Sequence, residues 1–172
     1  MSIPRTLIVM RHAKATPFAA TDHERALSSR GVADAAAAGR WAASHAVLPD
    51  YVVVSSAART CGTWKAFAGG AGCEPEVVVD QALYAAETDG ALEILRAVPS
   101  HARTVMLVGH NPTMSSLVHL LDDGGADPAI FAEVMAGYPT SALAVLDVDG
   151  DWADLALGEA RIRAFHVGRA SS

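Results

Sequence analysis

Short, nearly continuous apolar runs alternate with alanine-rich or amphipathic stretches along most of the chain. Thr6-Leu7-Ile8-Val9-Met10 ends at Arg11-His12 and suits a strand buried on both faces. A polar loop through Thr21-Asp22-His23-Glu24-Arg25 follows, and Ser28 or Ser29 then caps a predicted helix reaching to about His45. Tyr51-Val52-Val53-Val54 reads as a second buried strand, closed by Ser55-Ser56 and followed by a helix from about Ala57 to Phe67. Gly69-Gly70-Ala71-Gly72 predicts a break before a strand from Pro75 to Val79. Next come a helix from about Thr88 to Ala97, a strand from Arg103 to Val108, and a helix after Pro112. Gly124-Gly125-Ala126-Asp127-Pro128 reads as a loop. Late strands are predicted at Ala142 to Leu146, around Trp152 to Leu157, and at Arg161 to Phe165.

Strands alternating with helices predict one three-layer α/β/α domain over residues 1–172, with a mainly parallel central sheet. A chain of 172 residues is long enough to bury a sizeable core. Ligands of such sheets bind beyond the carboxyl ends of the strands. Three strand ends therefore matter most: Arg11-His12, Ser55 to Arg59, and Gly109-His110-Asn111-Pro112.

Composition narrows the class. Hydrophobic types make up 51% and charged residues 19%, which excludes a disordered chain. Cys61 and Cys73 are too few to staple a fold of this size. A net charge of −6 argues against a general nucleic-acid binder. Between Arg103 and Asp122 lie about 18 uncharged residues, the lower limit for a membrane span, but Gly109-His110-Asn111-Pro112 interrupts them. Met1-Ser2-Ile3-Pro4-Arg5 leads straight into a strand with no apolar run before a cleavage site, so no secretory signal is visible. A cytoplasmic enzyme with no membrane and no nucleic-acid partner is the expectation.

Two arginines and two histidines at neighbouring strand ends would form a cationic pocket suited to a phosphoryl group. His12 beside Arg11 is the candidate nucleophile, because nearby guanidinium charge disfavours imidazolium and leaves a ring nitrogen free to attack. Arg11, Arg59 and His110 would then stabilise charge on the equatorial oxygens. The spacing also admits plainer readings: Arg59 as a solvated first-turn arginine, and His110 as a turn residue before Pro112. His23, His45, His101, His119 and His166 read as loop, helix or terminal-strand residues.

Leu7-Ile8-Val9-Met10-Arg11-His12-Ala13-Lys14-Ala15 resembles the signature of the histidine phosphatase superfamily, and its Arg-His-Ala-Lys form resembles the SixA-type phosphohistidine phosphatase branch. Asp22 through Gly31 is similar to the segment that opens the first helix. Ser55 through Arg59 to Thr63 resembles the second-arginine motif, and Val108-Gly109-His110-Asn111-Pro112 the second-histidine motif. Pro139-Thr140-Ser141-Ala142-Leu143 and Trp152-Ala153-Asp154-Leu155 resemble late segments of the SixA-type branch. The resemblance implies a phosphoglycerate mutase-like fold without a large cap insertion. It implies His12 as the phosphorylated nucleophile, Arg11, Arg59 and His110 around the phosphate, and no metal or organic cofactor. Substrates would be a phosphorylated protein or a small phosphorylated molecule, with inorganic phosphate or vanadate as competing ligands.

Ala13, Ala26 and Ser56 depart from the pattern, and Ser56, in place of the usual proline, predicts a less rigid approach to Arg59. Glu87 lies where the superfamily's general acid is expected, with Asp22 as a weaker option, while Glu87 equally suits a solvated carboxylate opening a helix. A phosphoramidate leaves as neutral imidazole once its ring is protonated, so a site without a clear acid favours phosphohistidine over alkyl phosphates. The expected function is metal-independent phosphohydrolysis through a phosphohistidine intermediate, on protein phosphohistidine. The alternatives are a small-molecule phosphomonoesterase or mutase of the same superfamily, and a non-catalytic phospho-ligand binding module.

Overall fold

Six strands form one sheet in the computed structural model, which describes residues 3–171. Met1, Ser2 and Ser172, and with them the outer limits of the expected domain and the start of the N-terminal segment, lie outside the described residues. The strands are β1 (Arg5–Arg11), β2 (Tyr51–Ser55), β3 (Glu76–Asp80), β4 (Thr104–Gly109), β5 (Ala142–Val148) and β6 (Ala160–Val167). Their spatial order is β3-β2-β4-β1-β5-β6. The first four are parallel, and β5 runs antiparallel to both its neighbours.

Side chains alternate across this sheet, and both faces of its central strands β1, β2 and β4 are covered, while the edge strand β3 is exposed. Leu7, Val9, Leu107 and Ala144 point to one core, while Ile8, Met10, Val108 and Val145 point to the other. That double burial is why the strands read as continuous apolar runs. Helices α1 (Ser29–Ser44) and α2 (Ala58–Ala71) cover the second face. After a single turn, α3 (Gln81–Tyr84), the helices α4 (Thr88–Arg96), α5 (Thr113–Leu121) and α6 (Pro128–Ala136) cover the first. None of the described helices is long and apolar enough to cross a membrane.

Two expectations need correction. Helix α2 runs through Gly69 and Gly70 and stops only at Gly72, which takes the left-handed conformation at φ 67°. The glycines serve a close crossing of α1 and α2. A Cβ at Gly70 would lie 2.1 Å from the Ala36 carbonyl oxygen, and one at Gly39 would lie 2.1 Å from that of Phe67. The segment around Trp152 is no strand but a tight turn over Trp152–Asp154, with the indole fully buried and its Nε1 donating to the Ala102 carbonyl at 2.9 Å. Its apolar character marks an anchor. Gly124 to Asp127 form the expected loop, and α6, for which the sequence offered no prediction, follows with Pro128 in its first turn and the Asp127 carboxylate accepting from Ala129 N at 2.8 Å.

The α1–α2 crossing has no slack for a methyl group against a backbone carbonyl. Gly39→Ala should lower unfolding free energy by about 2–3 kcal/mol through overpacking. A thermal melt reads this as a fall in Tm, and an unchanged midpoint would contradict the contact.

Candidate active site

Pairing β1 with β4 puts Arg11 opposite Gly109, so Arg11-His12 and Gly109-His110 emerge side by side at one end of the sheet. The ring centroids of His12 and His110 are 5.4 Å apart. Ser55, at the end of the neighbouring β2, sets the second ring: its hydroxyl lies 2.7 Å from His110 Nε2.

The backbone of His12 is held on both sides. Its N–H donates to the Gly109 carbonyl at 3.0 Å, and its carbonyl accepts from Ser141 N at 3.1 Å. Ser141 is fully buried with φ 65°, a strained conformation for a residue with a side chain. One residue on, Ala13 N donates to Thr63 Oγ1 at 2.9 Å, and that hydroxyl donates to the Arg59 carbonyl at 2.6 Å. The loop after His12 is thereby tied to the first turns of α2. Helix α1 begins hard against the same loop, since a Cβ at Gly31 would meet the Lys14 carbonyl oxygen at 2.1 Å.

Side-chain roles follow from these constraints. His12 Nδ1 lies 2.8 Å from the Ala13 carbonyl oxygen, which only accepts, so Nδ1 carries the proton and the lone pair sits on Nε2. Burial, with the Arg59, Arg11 and Arg25 charges adding to it, lowers the His12 pKa to about 4. Burial, Arg59 and His12 likewise lower His110 to about 4. Both rings are neutral near pH 7. Arg11 Nη1 donates at 3.1 Å to the carbonyl of Tyr138, whose hydroxyl is fixed on the Val9 carbonyl at 2.5 Å. Arg59 is buried and donates to the Asp22 carbonyl at 2.9 Å and to Asp22 Oδ2 at 3.1 Å.

The structure thus brings Arg11, His12, Arg59 and His110 to one place. Glu87 makes no side-chain hydrogen bond or ion pair with any of them. It precedes α4 without capping it, exposed at a cleft of about 320 Å³ shared with Thr113 and Ser116. None of the four is among the residues lining that cleft. Ser56 does not leave its loop slack, because its hydroxyl meets His23 Nε2 at 2.9 Å and its N–H donates to the Asp80 carbonyl at 3.2 Å.

Ser55, Thr63, Tyr84 and Tyr138 were missed in the sequence. Ser55 and Thr63 lie inside the second-arginine motif, which was their only signal. Tyr84 and Tyr138 are distant in sequence and carried none. Among the described residues, five buried side-chain polar atoms have no hydrogen-bond partner: Arg11 Nε, Arg59 Nε, His110 Nδ1, Ser141 Oγ and Arg5 Nε. Four of the five surround His12, and such groups call for a functional account.

The chain resembles several known proteins in sequence and fold. An uncharacterized protein of Mycobacterium tuberculosis is 36% identical over 162 residues, spanning 93% of this chain and 100% of that relative. The structure of a candidate phosphohistidine phosphatase SixA from Nakamurella multipartitia is 37% identical and covers 96% of each chain, with a TM-score of 0.84. The chain belongs to the SixA-type branch of the histidine phosphatase superfamily. It is a histidine phosphatase with the mixed α/β architecture of phosphoglycerate mutase-like phosphatases. A protein histidine phosphatase SixA solved with tungstate shares the fold of this SixA-type phosphatase at a TM-score of 0.77 and 21% identity, over 95% of this chain and 97% of that one. No protein-family model matches the chain.

The depressed imidazoles of this SixA-type phosphatase have a pH signature. Unfolded histidines take up protons below about pH 6.5, whereas His12 and His110 do so in the folded state only near pH 4. The unfolded state therefore binds more protons inside that window, and stability present above it is lost as pH falls through it. In NMR titrations the two ring signals should hold still from pH 8 to about 5.5. A midpoint near 6.5 for either ring would refute the burial argument.

Proposed function

We propose that this histidine phosphatase hydrolyses phosphohistidine on proteins without a metal, through a phosphoryl group carried on His12. The observation that supports it most is the tautomer of His12. The Ala13 carbonyl holds the proton on Nδ1, so Nε2 keeps an unprotonated lone pair. In the first step, Nε2 forms a bond to phosphorus as the bond from phosphorus to the substrate imidazole breaks. That imidazole departs neutral, its other nitrogen keeping the proton. In the second step, water attacks phosphorus as the bond to Nε2 breaks; His12 leaves as the neutral ring with Nδ1 still protonated, and the water's protons stay on the released dihydrogen phosphate. Arg11, Arg59 and His110 would hold the equatorial oxygens.

Two features favour a protein substrate over a small one. The described chain is used up by six strands and the helices that cover them, so we assign residues 1–172 to one domain without a large cap. Beside Arg11 lies a wide cleft of about 720 Å³ walled by Asn111, Tyr138, Pro139 and Phe165, room for the rest of a bulky substrate. The tungstate found in the SixA structure is a phosphate analogue, and the same class of oxyanion should compete here.

Acid-quenched enzyme, mapped by mass spectrometry under conditions that keep P–N bonds, should carry phosphate on His12. Turnover should persist in excess chelator. His12→Ala should abolish activity, and Arg59→Ala or His110→Ala should each lower it on the order of 100- to 1,000-fold with circular dichroism unchanged. Phosphohistidine should exceed phosphoserine, phosphotyrosine and phosphoglycerate in kcat/KM. If phosphoglycerate or a sugar phosphate wins by about tenfold, equal to about 1.4 kcal/mol, the phosphohistidine assignment fails.

A further inference from the structure

The loop between β1 and α1 contributes a carboxylate that the proposed steps do not use. Asp22 sits at the head of a short turn, Asp22–Glu24, and its oxygens collect donors from three separate elements. Oδ2 accepts from Arg59 Nη2 at 3.1 Å and from the Tyr84 hydroxyl at 2.5 Å. Oδ1 accepts from Arg25 Nε at 3.1 Å. The Asp22 backbone carbonyl takes the second Arg59 nitrogen, Nη1, at 2.9 Å. Arg59 is therefore gripped at both terminal nitrogens by one residue.

Tyr84 carries this grip to the histidines. Its ring stands edge-on to His110 at 5.5 Å and to His23 at 4.8 Å, and the Arg59 guanidinium lies 5.9 Å from its centroid. His23 is in turn bonded to Ser56, the residue in place of the expected proline. One network thus spans the β1–α1 loop, the start of α2, α3 and the end of β4.

We propose that Asp22 and Tyr84 are positioning residues that aim the Arg59 guanidinium at the phosphoryl site, and that Asp22 does not serve as the proton donor to the leaving group. The role rests on the reading of Arg59 as a phosphate ligand. An acid must hold a proton at working pH and release it to the departing atom. Tyr84, Arg25 and Arg59 all donate to the Asp22 oxygens, and these hydrogen bonds hold its carboxyl well below the usual carboxylate range. A group so placed is an anion at working pH. What it supplies is direction: a guanidinium on a flexible stem keeps one aim only when opposing acceptors fix it, and misplacement by about 1 Å costs on the order of 100-fold.

A series of aryl phosphates with phenol pKa values from about 5 to 10 separates the two roles, because a proton donor matters most for the poorest leaving group. Asp22→Asn should lower kcat/KM on the order of 10- to 100-fold by the same factor across the series. It should weaken vanadate inhibition in parallel, with Tm within experimental error of the wild type. Tyr84→Phe should show the same uniform pattern at smaller amplitude, and it also serves if Asp22 variants fold poorly. A loss that grows with leaving-group pKa makes Asp22 the acid and overturns the inference. So does an unchanged vanadate constant, or a loss below about threefold in both variants. A wild-type protein inert toward the whole series, with His12 unphosphorylated, would overturn the phosphatase mechanism as well; a slope change alone leaves that mechanism standing.

Discussion

The backbone of His12 is pinned between β4 and the residue that leads into β5, and that pin fixes where the ring leaves β1. Without the Gly109 carbonyl on one side and the Ser141 N–H on the other, the chain leaving β1 would be a surface loop. With them, the ring has one tautomer, one neighbouring imidazole and fixed guanidinium neighbours. The cost falls on Ser141, whose left-handed backbone is worth about 1–3 kcal/mol of strain. The surrounding core sustains it. Leu143, Ala144 and Val145, just beyond Ser141 in β5, are completely buried and paired with β1 and β6.

The fold was legible because its central strands are buried on both faces, so they read as Leu7-Ile8-Val9-Met10 and Val52-Val53-Val54 with no ambiguity of face. Glycine was the harder residue to read. Gly69-Gly70 looks like punctuation in one dimension, and only the crossing of two helices turns it into a contact. Trp152 misleads for a related reason. A buried side chain in an apolar segment suggests a strand, whereas the indole here anchors a turn through one hydrogen bond to Ala102. The start of α6 was within reach of local rules, since Asp127-Pro128 has the chemistry of a helix start.

At the site, the residues that stand at strand ends or open a helix were legible, since chain order and topology bring Arg11, His12, Arg59 and His110 together. What supports them was not. Tyr138 fixes Arg11 through its carbonyl, an atom every residue has, so its side chain gave no sign of the role. Tyr84 lies in a single-turn helix, and its meeting with Asp22 depends on how the β1–α1 loop folds back over α2. The exchange of proline for Ser56 shows the same limit. The sequence predicts lost rigidity, yet the hydroxyl finds His23 across the site and fastens the loop by another route.

Charge explains how such a pocket survives in a chain with net charge −6. Arg11, Arg25 and Arg59 all depress the same imidazole, so the pocket is locally cationic even though the surface as a whole is acidic. Left alone, three guanidiniums would repel one another and splay. Asp22 answers two of them at once, and the Tyr138 carbonyl answers the third without adding charge. A second carboxylate at Arg11 would have neutralised the pocket and competed with any anion entering it. A neutral acceptor holds the guanidinium in place and leaves its charge to the ligand. The division of labour between Asp22 and Tyr138 therefore keeps the arginines ordered and the pocket still attractive to a phosphoryl dianion.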